Sequence, residues 1–232
     1  MHQSDEHTKL AHGRARSAVV EALYQWDKGI MEPPRGVYVN QQGTLLKLKR
    51  GDYVEVDPSQ DQPSASKYII EYIEEGLHWP RTVPYRNTGK LPQGFEWCGA
   101  FAAYCFRSVG LDRDIRHKHM ASTFRLYDFC KGTPRKIELD QIQEGDVVVV
   151  GRRGSRAWGS HITICEERLP HGVLTVEGNA HGRLFSGSWG EGVIRRERPF
   201  FEHSNTKKNE SYIMHAYRWL WQDYDPRDFD LI

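Results

Sequence analysis

Apolar positions recur at helical spacing early in the chain. Between residues 14 and 28, Ala15, Val19, Ala22, Leu23 and Trp26 share one face, which predicts an amphipathic helix closed by Gly29 and Pro33-Pro34. Residues 1–13 are polar and predict a frayed N-terminal tail. Two short runs, 44–48 and 53–56, flank an Arg50-Gly51-Asp52 turn. They predict a hairpin inserted at about 36–63. Helical spacing returns through Tyr68, Ile69, Tyr72 and Ile73, predicting a helix over 64–76 with Ser64 or Ser66 as its cap. Residues 78–95, rich in Pro and Gly, read as loop.

The run 96–110, Glu-Trp-Cys-Gly-Ala-Phe-Ala-Ala-Tyr-Cys-Phe-Arg-Ser-Val-Gly, is too apolar for a surface helix. It predicts a central buried helix stopped by Gly110. A mixed segment follows, with a helix expected over 121–131. Beyond Pro134 the pattern changes to short strand-like runs at 146–150, 162–166, 173–177, 192–198 and 212–219, separated by Gly, Pro and charged turns. These predict a sequential antiparallel sheet of about five to six strands. Helices first and strands after argue an α+β fold and not a doubly wound one. A single domain is expected over 14–221, followed by an acidic tail, 222–232, whose acidic residues are all aspartate. No internal repeat interrupts this organisation.

Composition narrows the function classes. The chain has 232 residues, 38% of them apolar and 27% charged, with a formal net charge of +1. That balance gives no electrostatic case for nucleic acid or for an anionic membrane surface. No run approaches a membrane span of about 20 apolar residues. The first residues carry no apolar stretch, so the expectation is synthesis in the cytoplasm without a signal peptide. The four cysteines, Cys98, Cys105, Cys130 and Cys165, form no Cys-x-x-Cys pair, and a cysteine in an apolar element is usually a small buried hydrophobe.

Cys98 is set apart by its position. A thiol attacks only as thiolate, and the positive end of a helix or a neighbouring imidazolium lowers its pKa. Cys98 follows a Gly-containing loop and opens the apolar helix, where unpaired backbone N–H groups also suit an oxyanion. Gly99 and Ala100 leave room for a substrate. Downstream, His161 heads an apolar strand behind small residues, and the next strand is expected to end Val176-Glu177-Gly178-Asn179. Antiparallel neighbours bring the start of one strand beside the end of the next. Glu177 or Asn179 can therefore orient His161, the part of the third member of a triad. Trp97, Trp158 and Trp189 lie near this cleft in sequence and are the candidates for stacking on substrate. His117 and His119 with Cys130 lack the spacing of a metal motif, so neither a metal nor a cofactor is expected.

This order of motifs, a Trp-Cys-Gly-Ala-Phe helix start, a Gly-Asp strand, a Gly-x-His strand and a Glu-x-Asn strand end, resembles the CHAP family. Those are cysteine- and histidine-dependent amidohydrolase/peptidases of the papain-like superfamily, which also holds the NlpC-type cell-wall peptidases. The resemblance covers about residues 15–220, and the segment 36–63 has no counterpart in it. It implies a papain-like fold with the nucleophile's helix packed on an antiparallel sheet. It also implies hydrolysis of amide bonds, commonly in peptidoglycan, through a thioester acyl-enzyme. Carried over, Cys98 is the nucleophile, His161 the base, Glu177 the orienting acid and Asn179 a fourth polar member.

Either N-acetylmuramoyl-L-alanine amidase or peptide-stem endopeptidase activity fits that resemblance. A cysteine protease, deamidase or transglutaminase acting on protein would use the same groups. A non-catalytic papain-like domain that binds wall fragments or a partner is the remaining alternative. The expected partner is peptidoglycan or a peptide, with an inhibitor or immunity protein if the chain is an injected toxin. Its expected place of action is the cytoplasm, or the cell wall after phage lysis or delivery by a secretion machine.

Overall fold

The computed structural model describes residues 2–32, 38–39, 45–46, 53–55, 66–78, 90–92, 96–152, 154–187, 189–203 and 211–225. Helix α1 spans His2–Asp27. The expected frayed tail is therefore helical from residue 2. Sequence pattern missed this because the reason is tertiary: the His7 ring stacks on Trp221 at 5.2 Å and Gln143 Nε2 donates to His12 Nδ1 at 3.0 Å. Ala11, Ala15, Ala18 and Ala22 form the buried stripe of α1, and side chains that small let a neighbouring helix come close.

Short strands β1 (Met31–Glu32), β2 (Tyr38–Val39), β3 (Leu45–Leu46) and β4 (Tyr53–Glu55) follow. Helix α2 (Ser66–Glu71) runs into a π-helical turn over Tyr72–Gly76, and β5 covers Lys90–Pro92. The expected hairpin between 44–48 and 53–56 is not the pairing formed. Strand β3 pairs with β2, and β4 pairs with β5. Helix α3, Cys98–Arg107, is the central helix, and Gly110 ends its turn at φ +78°. Helix α4 (Arg113–Lys118) was not expected; Asp112 caps it by accepting from the backbone N–H groups of Asp114 and Ile115. Helix α5 spans Thr123–Cys130.

Strands β6 (Lys136–Ile137), β7 (Val147–Arg152), β8 (His161–Leu169), β9 (Gly172–Arg183), β10 (Trp189–Pro199) and β11 (Ser211–Tyr217) complete the chain. The sheet is antiparallel in the order β1-β10-β9-β8-β7-β11-β6, five long strands with a two-residue strand at each edge. Strands β7 to β10 are sequential neighbours, as expected. Strand β11 instead returns to the far side of β7. The molecule is thus α+β.

Both sheet faces are covered. Val147, Val149, Ile162, Ile164 and Val176 join Ala100, Phe101 and Ala103 in the helix-side core. Val148, Val150, Cys165, Val173 and Ile213 pack with Ile137 and Ile142 on the other side. This explains the unbroken valine run of β7, since a strand buried on both faces loses the alternation of a half-exposed one. Each such side chain contributes about 1.5–3 kcal/mol on burial. The chain after Trp219 is no loose tail at its start. Asp223 and Tyr224 are buried, Asp112 N–H donates to the Asp223 carbonyl at 2.7 Å, and the Asp223 side chain pairs with Arg135. The domain therefore extends at least to Asp225, while 226–232 lie outside the described residues.

Candidate active site

Cys98 is the first residue of α3, with Trp97 in the cap position making no side-chain cap bond. The first intrahelical donor is Phe101 N–H, which reaches the Trp97 carbonyl at 2.9 Å. The N–H groups of Cys98, Gly99 and Ala100 precede it and have no i−4 acceptor within the helix, which leaves a partial positive charge at the thiol. Two glycines let the surroundings close on this helix start. A β-carbon at Gly99 would collide with the Met120 carbonyl, and one at Gly178 would sit 2.5 Å from Phe101 Cβ.

His161 opens β8 opposite Val150 of β7. Glu177 lies inside β9, which continues to Arg183 instead of ending at Asn179 as expected, with Ile194 of β10 as its neighbour. The carboxylate is wholly buried, and its Oε2 lies 3.1 Å from His161 Nε2. With Nε2 engaged there, Nδ1 is the ring nitrogen left to serve Cys98, whose anion His161 stabilises. Asn179 holds a left-handed φ of +56°, two residues past Glu177, and is half-buried. Glu177, not Asn179, makes the hydrogen bond to His161.

Burial is the largest influence on the Cys98 thiol and pushes its pKa up. The His161 charge, the hydrogen bond from its ring and the Ile162 N–H oppose burial and together bring the thiol below its ordinary value. Burial likewise opposes the charged imidazole, but Cys98 and Glu177 outweigh it and raise His161 to about 9. Glu177 is held well below the ordinary carboxylate range despite its burial, by His161 and Arg198. The other three cysteines go the opposite way. Burial drives Cys105 and Cys165 well up and takes Cys130 to about 12. Cys98 is the one thiol with a stabilised anion.

The structure adds residues that no motif pointed to. Arg198 of β10 grips Glu177 with both arms of its guanidinium, Nε to Oε1 at 2.6 Å and Nη2 to Oε2 at 2.5 Å. Thr175 Oγ1 donates to Oε1 at 2.7 Å. The available signal was the alternation of Thr175 with Glu177 on one strand face, but pairing Arg198 with that face requires the β9–β10 register.

The three tryptophans separate. Trp97 is fully buried, stacked on Tyr72 at 5.8 Å and edge-on to Phe101 at 6.5 Å. A ring with no exposed face cannot stack on substrate, so the expectation for Trp97 is corrected: it is core. Trp158 is half-buried in the loop before His161, edge-on to exposed Phe124 at 5.0 Å and covered by the Arg156 guanidinium. Trp189 is 71% exposed at the start of β10, 6.1 Å from the His181 ring. His117 and His119 are also drawn apart, the first toward the Leu77 and His78 carbonyls and the second stacked on Phe129 at 4.0 Å.

No family model, curated protein or solved structure matches this chain. Among the described residues no helix is long and apolar enough to cross a membrane. None of their His, Cys, Asp and Glu side chains form a group of three or more that could hold a metal ion.

Proposed function

We propose that the chain is a cysteine-dependent amidohydrolase with a papain-like arrangement, in which Cys98 is the nucleophile, His161 its base and Glu177 the acid that orients His161. The observation that carries this reading is a helix-start thiol whose anion is stabilised by an imidazole that itself lies 3.1 Å from a buried carboxylate. In the reaction, the Cys98 thiolate adds to the amide carbonyl carbon, forming a C–S bond and an oxyanion beside the helix N-terminus. The imidazolium of His161 gives its proton to the leaving nitrogen as the C–N bond breaks. Water then attacks the thioester, His161 takes its proton, and the C–S bond opens to release the acid and the thiolate.

The substrate we propose is an amide of peptidoglycan, on the strength of the motif order around Cys98, His161 and Glu177. Mass spectrometry of purified sacculi treated with wild type and with Cys98→Ala tests it. New muropeptides released by wild type alone support the proposal and identify the bond. An unchanged muropeptide profile at high enzyme concentration refutes peptidoglycan as the substrate and turns attention to protein amides.

A further inference from the structure

Each oxygen of the Glu177 carboxylate has two polar neighbours, and the single Thr175 proton is shared between Oε1 and the Arg196 carbonyl at 2.9 Å. Oε1 accepts from Thr175 Oγ1 and Arg198 Nε, and Oε2 accepts from Arg198 Nη2 and faces His161 Nε2. Arg198 is 8% exposed and comes from a different strand, β10, than either partner. A two-pronged guanidinium fixes a carboxylate in plane as well as in place. The position this leaves on Oε2 faces the imidazole.

We propose that Arg198 is a positioning residue of this site, which fixes the Glu177 carboxylate so that it serves His161 as an aimed acceptor and never as a proton store. The inference rests on the Cys98–His161 reading above. Because the Glu177 and Arg198 charges cancel, the carboxylate steers the ring through hydrogen-bond geometry more than through net charge. Besides Cys98 on α3, the polar and charged groups facing this array are Thr175 on β9, Arg196 and Arg198 on β10, and Glu96 ahead of α3. A buried carboxylate whose countercharge is deleted is exposed to the full cost of its desolvation. The pair should therefore be replaceable only as a pair.

The test is the rate of Cys98 alkylation by iodoacetamide from pH 5 to 10, followed by peptide mass spectrometry on the full chain. It needs no knowledge of the substrate. Arg198→Met should slow alkylation at pH 7 on the order of tenfold to a hundredfold and move the rising limb of the profile. Arg198→Lys keeps the charge and loses the fork, and should recover part of the rate with the wild-type limb. The double variant Glu177→Gln, Arg198→Met removes both charges and leaves an amide acceptor, and should react faster than Arg198→Met alone. Should Arg198→Met not fold, the lysine and double variants carry the test. Wild-type rates and limbs in every variant that folds would overturn the proposal. Wild-type Cys98 reacting at pH 6 no faster than an ordinary thiol is a different result: it refutes the hydrolase reading itself.

Discussion

Burial by itself makes a thiol a poor nucleophile, and Cys98, at 8% exposure, is buried almost as deeply as the cysteines that serve only as core. What separates it is a donor on each side, the helix start and His161. The contrast gives a direct prediction for single residues. Cys98→Ala should abolish hydrolysis while leaving the melting temperature nearly unchanged, whereas Cys105→Ala should keep activity and lose about 1 kcal/mol of stability. Parallel assays and thermal melts check both. The pH dependence follows from the same groups. Activity requires Cys98 as thiolate, so kcat/KM should rise with pH below the ordinary thiol range, as Cys98 gives up its proton. It should fall as His161 loses its proton at about 9. In His161→Ala the two largest lowering influences disappear and only the helix start and the Ile162 N–H still oppose burial, so alkylation of Cys98 at pH 7 should fall toward the level of Cys105. Glu177→Gln carries a double penalty. It weakens the acceptor for His161 and leaves the buried Arg198 charge without its partner, and a broken buried pair costs about 3 kcal/mol. Reduced activity with a lower melting temperature is the expected outcome.

At the scale of elements, the site depends on how tightly α3 lies on β9. Gly178 is where they touch, and a methyl there meets Phe101 Cβ at 2.5 Å and Trp97 Cζ3 at 2.7 Å. Gly178→Ala must push the start of α3 away from the sheet. Overpacking of this kind costs about 1–3 kcal/mol, and an ångström of displacement between thiol and imidazole costs on the order of a hundredfold in rate. Thermal melts and Cys98 alkylation would register both losses, and Ala100→Gly, which adds no atom, should not reproduce the rate effect. Much of this was legible in the sequence. A Gly-containing loop running into an apolar helix marks Cys98, and small residues before a strand mark His161. Arg198 was not legible, because β10 slips register against β9 between Gly192 and Ile194. A side chain's face cannot be read across such an irregularity from alternation. Helix α4 was hidden for another reason: it is six residues long, too short for periodicity to declare it.

At the scale of the molecule, α1 and the segment 219–225 brace the helical layer together. Helix α1 lies against α3 through its alanine stripe, and its first half meets the segment around Trp221. Polar residues near both ends suggest tails because the contacts that place His7, His12 and Asp223 are far apart in sequence. The firmest of these ties is Arg135 to Asp223, where the guanidinium reaches both carboxylate oxygens, with side-chain exposures of 15% and 2%. Asp223 also accepts from the Leu220 N–H at 2.7 Å. Arg135→Met would leave a buried carboxylate without its countercharge, at a cost of about 3 kcal/mol, or on the order of 10 °C in melting temperature for a chain of this size. The exposed pair Arg16–Glu144, by contrast, has exposures of 60% and 31%. Solvent screens such a pair, so Arg16→Met should shift stability by less than about 1 kcal/mol. Because Arg135 and Asp223 touch none of the groups around Cys98, Arg135→Met should still alkylate at the wild-type rate at 25 °C. A melting temperature equal to that of wild type would mean that the C-terminal segment is not part of the folded unit, and a slowed Cys98 would mean that the brace reaches the site.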